Sequence, residues 1–294
     1  MKKSSSKHSK MSFLLMNQTS EENRTVKSFL DKKGIILGIA NNRSIASAIA
    51  KHLTEEGARI GYSFLPDESG KMEQRVKQVT DPLDPCFLAP CDVTSDESIA
   101  LFFKEVEAKL GKIDFIVHSI AFAPIEDLRG DTIATSRSGF KAAMDISVYS
   151  LLSILNASQS LLNEGGSVCA MTYFGGEKVI PGYNIMGVCK AALDHAIKYA
   201  AFDLGKRGVR VNGISAGPIR TLASSAVGDF KEMLKINAAQ APLQRNVTQE
   251  DVAKTTAFLL SPQSSSITGE ILHVDSGYSI MGGLTPNLKE TMKA

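Results

Sequence analysis

From Gly34 to Val274 the chain repeats one alternation: a short run rich in β-branched residues, then a longer segment with apolar residues at three- and four-residue spacing. Strands that alternate with helices cannot pair through tight hairpins, so this pattern demands a parallel sheet covered by helices on both faces. The strand candidates are Gly34–Gly38, Arg59–Phe64, Cys86–Ala89, Ile113–His118, Ser167–Thr172, Val209–Ser215 and Glu270–Val274. Helical spacing marks Ser44–Glu56, where Ile45, Ile49 and Leu53 share a face, and also Glu97–Leu110, Gly139–Asn163, Tyr183–Lys206 and Glu250–Leu260. A length of 294 residues would by itself suggest about two domains. No linker composition interrupts residues 34–275, however, and the expectation is one doubly wound α/β domain over residues 29–283 with a seven-stranded parallel sheet.

Composition narrows the function. The formal net charge is +2, with 43% hydrophobic and 22% charged residues, which fits a globular protein and argues against a dedicated nucleic-acid binder. The purely apolar stretches, such as Ile35–Leu37 and Ala257–Leu260, fall well short of the ~20 residues of a membrane span. Residues 1–28 open with Lys2, Lys3 and three serines, and their one apolar patch, Phe13 to Met16, is shorter than the ~7–15 residues of a secretory leader core. They read as a disordered extension, and residues 284–294 as a C-terminal tail. The four cysteines, Cys86, Cys91, Cys169 and Cys189, lack CxxC spacing, so neither a disulfide framework nor a metal site is expected and the cytoplasm is the default compartment.

The first strand ends at Gly38 and runs through Ile39-Ala40-Asn41-Asn42-Arg43 into a helix at Ser44-Ile45-Ala46. Such a turn aims backbone N–H groups and the positive helix end at a pyrophosphate, as in Rossmann-type dinucleotide sites. The G-x-G-x-x-G fingerprint is broken, and the turn alone more readily reads as an ordinary strand–helix connection. Asp92 could accept a hydrogen bond from an adenine amino group while Val93 covers the ring; a loop aspartate and a core valine read the same way. Tyr183 and Lys190 stand seven apart, about two turns of helix, so a phenol and an ammonium can address one pocket. Spacing alone favours a half-buried Tyr and a snorkelling Lys.

Together the motifs carry a resemblance. Phe29-Leu30-x-x-Lys33-Gly34, Gly38-x5-Ser44-Ile45-Ala46, His118-Ser119-Ile120-Ala121-Phe122-Ala123-Pro124, Tyr173-x9-Tyr183-Asn184-x-Met186-Gly187-x-x-Lys190 and Gly217-Pro218-Ile219-Arg220-Thr221 resemble the NADH-dependent enoyl-acyl-carrier-protein reductases, divergent short-chain dehydrogenases/reductases. The likeness covers about Phe29 to Gly283. Ordinary superfamily members carry Tyr-x3-Lys, with a serine about where this chain has Tyr173. The resemblance implies that Gly38, Ser44 and Ile45 hold the pyrophosphate, Asp92 and Val93 the adenine, and Ile120 the adenosine side. Leu65 would offer adenine only its apolar surface, where the family often has a polar residue. Lys190 would bind the nicotinamide ribose; Ile219, Thr221 and Ala223 would flank the nicotinamide. Ala123 would touch substrate, Tyr183 the thioester carbonyl, and Tyr173 would line the acyl pocket.

The shifted tyrosine has a chemical reason. Hydride delivered to C3 of an enoyl thioester places negative charge on the carbonyl oxygen, further along the substrate than in a ketone, so the stabilising phenol must move with it. Leu65-Pro66-Asp67 after the second strand supplies an acid where an NADPH site would need a base, so NADH is the expected donor, with Lys71 and Arg75 the nearest opposing charges. An acyl carrier protein would be the substrate carrier, met by Lys231, Lys235, Arg220 or Arg245. A homotetramer is expected by resemblance, with Ala142, Ile146, Leu151 and Leu155, and Ala192, Ala196 and Ala200, as candidate packing positions. The alternatives are an ordinary carbonyl or alcohol dehydrogenase, disfavoured by Tyr173 and the Tyr-x6-Lys spacing, and a nucleotide-binding regulator, disfavoured by the presence of both tyrosines and the lysine.

Overall fold

The computed structural model describes residues 27–221 and 230–283. The expected disordered extension falls, but for its last two residues, outside that range, and so does the C-terminal tail. Within the described residues the elements run β1 (Lys33–Leu37), α1 (Ile45–Glu55), β2 (Arg59–Phe64), α2 (Lys71–Thr80), β3 (Phe87–Pro90), α3 (Asp96–Leu110) and β4 (Ile113–His118). They continue with α4 (Arg137–Met144), α5 (Ser150–Ser158), β5 (Leu162–Thr172), α6 (Ile185–Gly205), β6 (Arg210–Ala216), α7 (Phe230–Gln240), α8 (Gln249–Leu260) and β7 (Ile271–Val274). The strands form one seven-stranded sheet in the order β3-β2-β1-β4-β5-β6-β7, and each neighbouring pair is parallel. The expected doubly wound α/β architecture is therefore what the chain adopts.

Each face of the sheet has its own apolar layer. On one, α1 and α8 pack together, placing Ile49, Leu53, Val252 and Leu259 against Ile36, Tyr62, Val117 and Ile214. On the other, Phe102, Val106, Ile154, Leu193 and Ile197 from α3, α5 and α6 cover Ile35, Ile116, Val168 and Val211. Because both faces are covered, the central strands read as nearly unbroken apolar runs. Phe29, almost fully buried, sets its ring edge-on to Phe115 at 5.8 Å and so joins the core.

Four differences from the expected elements need correction. Helix α2 was absent from the expected elements because its apolar stripe is only Met72, Val76 and Val79 among charged and polar residues, and it fully buries just Val76 and Thr80. Helix α7 likewise buries only Asn237 among its described side chains. The single helix expected over Gly139–Asn163 is instead α4, a π-helical turn at Asp145–Tyr149, and α5. Strand β5 starts at Leu162 rather than Ser167: Leu162 pairs with Ile113, and the ladder then shifts register before Ser167 pairs with Phe115. The glycines in Asn163-Glu164-Gly165-Gly166 disguised that irregular start.

Connectivity fixes where a ligand can sit. After β1 the chain winds toward β2 and β3, and after β3 it crosses back to β4 on the other side of β1, which opens a crevice above the carboxyl ends of β1 and β4. Gly38 closes that junction. Its φ is +99°, and a Cβ there would stand 2.0 Å from the Ser119 carbonyl oxygen, so only glycine lets the end of β1 lie against the end of β4.

His118, the last residue of β4, is fully buried. Its Nε2–H donates to Ser150 Oγ at 2.8 Å, because the Ser150 hydroxyl is itself donated to the Ile146 carbonyl at 2.7 Å. Burial, aided by the Lys190 charge, lowers its pKa from 6.5 to about 3. The native state therefore stays neutral at His118 while the unfolded chain takes up a proton below pH 6.5, and stability falls as pH drops from 6.5 toward 3. By pH 5 this group alone should cost on the order of 2 kcal/mol. Thermal melts at fixed protein concentration should show the wild-type Tm falling more steeply between pH 7 and 5 than that of His118→Gln; parallel slopes would contradict this.

Candidate functional site

Helix α1 begins at Ile45 with Ser44 as its N-cap, yet the Ser44 hydroxyl does not cap the helix. It accepts instead from the N–H groups of Ala40 (3.0 Å) and Asn41 (3.1 Å), which folds the β1–α1 loop tightly and leaves the first turn of the helix without a side-chain cap. An uncapped helix start beside a glycine turn is an anion-binding arrangement. Gly38, Ala40, Ser44 and Ile45 form one end of a cavity of about 470 Å³.

The other walls come from the ends of β4, β5 and β6. Ser119 to Ala123 and Leu128 line it from the segment after β4, Met171 to Tyr173 from β5, and Ala216 to Ile219 with Thr221 from the turn after β6. Met186 and Lys190 enter from the first turns of α6, and Phe230 and Met233 from α7. Tyr183 enters too, but from the turn just before α6 and not from the helix as expected, because Asn184, with its positive φ, breaks the helix at its N-cap.

Lys190 is almost fully buried, and its Nζ donates to the Met171 carbonyl at 2.8 Å. Burial lowers its pKa from 10.5 to about 8, opposed by the charge of Asp194 one turn further along α6. Asp194 is buried too, and burial raises its carboxyl, against the pull of the Thr172 hydroxyl and Lys190. Tyr173 and Tyr183 meet edge to face, with ring centres 4.8 Å apart. Gly175 makes the contact possible: a Cβ there would lie 2.5 Å from Cδ1 of Tyr183. Burial pushes the Tyr173 phenol up to about 12 and the Tyr183 phenol well above its ordinary value, so both are held as hydrogen-bond donors. The Tyr173 hydroxyl points to the Met233 sulfur at 4.0 Å.

Of the residues expected in the site, Gly38, Ser44, Ile45, Ile120, Ala123, Tyr173, Tyr183, Lys190, Ile219 and Thr221 share this cavity. Leu65, Asp92 and Val93 do not line it. They stand at the ends of β2 and β3, one and two strands beyond β1. Leu65 is half exposed, Val93 is packed in the core, and Asp92 Oδ1 accepts from both the backbone N–H (2.9 Å) and the hydroxyl (2.7 Å) of Thr94, leaving its second oxygen outside that turn. Ala223 lies outside the described residues. Nothing in the sequence marked Phe230 and Met233, since α7 itself was not expected, or Leu128 and Ile180, which lie outside the strands and α-helices.

Comparison with known proteins agrees with this geometry. A family model described as Enoyl-(Acyl carrier protein) reductase matches residues 38–279. The chain is 49% identical over 251 residues to the enoyl-acyl-carrier-protein reductase (NADH) FabI of Nostoc sp., covering 85% of this chain and 97% of that protein. Among solved structures, the enoyl-acyl-carrier-protein reductase (NADH) of Aquifex aeolicus superposes with a TM-score of 0.84 at 42% identity, covering 87% of this chain and 99% of that one. That of Anaplasma phagocytophilum, solved in complex with NAD, superposes with a TM-score of 0.83 at 42% identity, covering 87% and 97%. Motifs that mostly gather at one cavity and a likeness that runs through nearly the whole described fold lead to the same conclusion: this chain belongs to the enoyl-(acyl carrier protein) reductase family.

Proposed function

We propose that the protein reduces the C2=C3 bond of trans-2-enoyl chains carried on acyl carrier protein, with NADH as donor, the closing reduction of a fatty-acid elongation cycle. The observation that carries this reading is that Tyr183, just ahead of α6, shares a cavity with the buried Lys190, with Tyr173 set edge to face against it where a ketone-reducing relative would have a serine.

The residues present fit NADH. The uncapped start of α1 and the Gly38 turn suit the pyrophosphate, Lys190 the nicotinamide ribose, and Ile219 and Thr221, with Ala223, the ring. Ile120 would lie along the adenosine side, and Leu65, Val93 and the free oxygen of Asp92 would meet adenine over β2 and β3. When bound, the dinucleotide supplies a hydride to C3. Tyr183 then donates a hydrogen bond to the thioester oxygen as negative charge gathers there, and a phenol whose pKa is raised keeps its proton for that task. Lys190, fixed on the Met171 carbonyl, adds positive charge beside the developing anion. Tyr173 and Ala123 shape the acyl side, and the apolar walls exclude water.

Asp67 supports selection of NADH over NADPH. Its carboxylate accepts from the N–H groups of Met72 (3.0 Å) and Lys71 (3.3 Å) and from the Ser69 hydroxyl, which holds it below the usual carboxylate range and keeps a negative charge just beyond β2. That charge repels a 2′-phosphate. Arg220 and Lys231 are exposed on segments that also line the cavity, and they suit an acidic carrier protein at its mouth. Lys235 is paired with Glu232 (3.5 Å) and Arg245 with Asp251 (2.6 Å), so both are partly neutralised.

A homotetramer belongs to the same reading, but through different side chains from those expected. Leu151, Leu155 and Ala200 are buried in the chain's own core, and Ile146, Ala192 and Ala196 pack against it. The outer face of α4–α6 carries Phe140, Tyr149, Leu152, Val188, Tyr199 and Phe202, all exposed, with Phe202 at 74%. So much exposed apolar surface across three consecutive helices calls for a second copy. Among the described residues no helix is long and apolar enough to cross a membrane. Four unpaired cysteines suit the cytoplasm.

With NADH the protein should reduce a crotonyl thioester and leave a panel of ketones untouched; turnover of ketones alone would reverse the assignment. Tyr183→Phe should lower kcat by up to the ~3–4 kcal/mol typical of a lost oxyanion donor while sparing NADH affinity. Lys190→Ala should chiefly raise the KM for NADH, and Tyr173→Phe should do less than either. Measured side by side, KM should be lower for NADH than for NADPH, and Asp67→Asn should narrow that gap. Light scattering at micromolar concentration should give a tetramer, and Tyr199→Glu combined with Phe202→Glu should break it down.

A further inference from the structure

The segment between β4 and α4 forms a wall of the cavity, yet it is poorly packed. Its two short 3-10 turns, Ile125–Leu128 and Thr132–Ala134, bury no side chain, and Phe122, Ile125 and Ile133 are exposed. Polar ties hold it instead. At the near end the Ser147 hydroxyl, from the π-helical turn, accepts from the Phe122 N–H and donates to the Phe122 carbonyl, both at 2.9 Å. At the far end Asp127 accepts from the N–H (2.6 Å) and hydroxyl (3.1 Å) of Ser136. Between them a third tie leaves the segment altogether: Asn184 Nδ2 donates to the carbonyls of Leu128 (3.0 Å) and Gly130 (2.8 Å).

Asn184 is also conformationally unusual. It stands at the N-cap of α6 with φ +43° and ψ −125°, one residue after Tyr183, and its carbonyl accepts from the Gly187 N–H at 2.9 Å. A positive φ is disfavoured for residues with a Cβ, with Asn and Asp the side chains that tolerate it best. The two requirements at this position select one residue type. Glycine accepts the backbone but has no donor, aspartate accepts it but cannot donate when ionised, and glutamine donates but fits the backbone less well. Asparagine brings two N–H hydrogens, one for each carbonyl, to a backbone of positive φ.

We infer that Asn184 is a positioning residue that ties Leu128, a wall of the acyl cavity, to the backbone beside Tyr183, so that the spacing between acyl wall and enolate-stabilising phenol is fixed by one side chain. This rests on the reading of the cavity as the enoyl site. Leu128 and Tyr183 both line that cavity, and Asn184 is the residue bonded to the first and adjacent in sequence to the second. Strain of this kind persists only where surrounding structure enforces it, and here it is enforced at the start of the helix that carries Lys190. The consequence falls on substrates whose chain is long enough to reach Leu128, and not on the dinucleotide end at Gly38 and Ser44.

The test compares Asn184→Gly and Asn184→Asp with wild type on crotonyl and dodecenoyl thioesters. Both variants should raise KM for the dodecenoyl substrate about tenfold, the scale of one or two net hydrogen bonds, with a much smaller change for crotonyl and none in the KM for NADH. Mass-spectrometric mapping of limited trypsin digestion should show faster cleavage after Arg129, which is exposed between the two tethered carbonyls, with other sites unchanged. Equal losses on both substrates with a parallel loss of NADH binding, or unchanged kinetics and unchanged cleavage at Arg129, would overturn the inference. Should Asn184→Gly not fold, Asn184→Asp carries the same comparison. Leu128→Ala separates this from the underlying reading: if it leaves chain-length dependence untouched, the acyl wall is misplaced, whereas if it shifts that dependence and the Asn184 variants do not, only the tie is wrong.

Discussion

The bond from Lys190 Nζ to the Met171 carbonyl is the interaction on which the rest of the site depends. An ammonium inside a protein is costly, and this one is offset by a strand-end carbonyl on one side and a buried carboxyl, Asp194, on the other. To reach that carbonyl, α6 must lie close over the end of β5, which in turn requires glycines in the intervening turn. Gly176 sits where a Cβ would come within 2.8 Å of the Lys190 backbone. With the helix so placed, Tyr183, just ahead of it, is delivered to the cavity and meets Tyr173 at the strand end. A single close helix–strand approach thus sets the positions of all three polar side chains.

The same economy governs the dinucleotide end. Gly38 permits contact between β1 and β4, and the crossover of the sheet at that point leaves the first turn of α1 facing the crevice. The Ser44 hydroxyl is spent on the loop and not on the helix, which leaves helix N–H groups for a ligand at the cost of helix stability. The site is built from local sacrifices of this sort: an uncapped helix, a buried lysine, an asparagine held at positive φ. Each is sustained by the two apolar layers that cover the sheet.

How much of this was legible in the sequence follows from where each signal resides. The central strands were plain because burial on both faces makes them continuously apolar, and α1, α3 and α8 because each keeps an apolar stripe. Helices α2 and α7 were hidden because they bury almost nothing. In the site, Tyr183 and Lys190 declared themselves by their spacing and motif, although Tyr183 stands just ahead of α6 and not on it, while Leu128 and Met233 gave no local sign because tertiary contact alone brings them to the cavity. Asn184 lay in a motif in plain view. What it does could not be read there, since its partners are more than fifty positions away in the chain.

The four cysteines have a practical consequence. Burial pushes the thiols of Cys91 and Cys169 up to about 12 and that of Cys189 to about 11, which leaves them almost without thiolate at neutral pH. Cys86 is the half-buried one, and it precedes β3, at the edge of the sheet farthest from β7 and at the strand end opposite the cavity. The native protein therefore carries a single addressable thiol remote from its chemistry. A fluorophore or spin label placed there would report on tumbling and association without disturbing turnover, and no cysteine would have to be removed first.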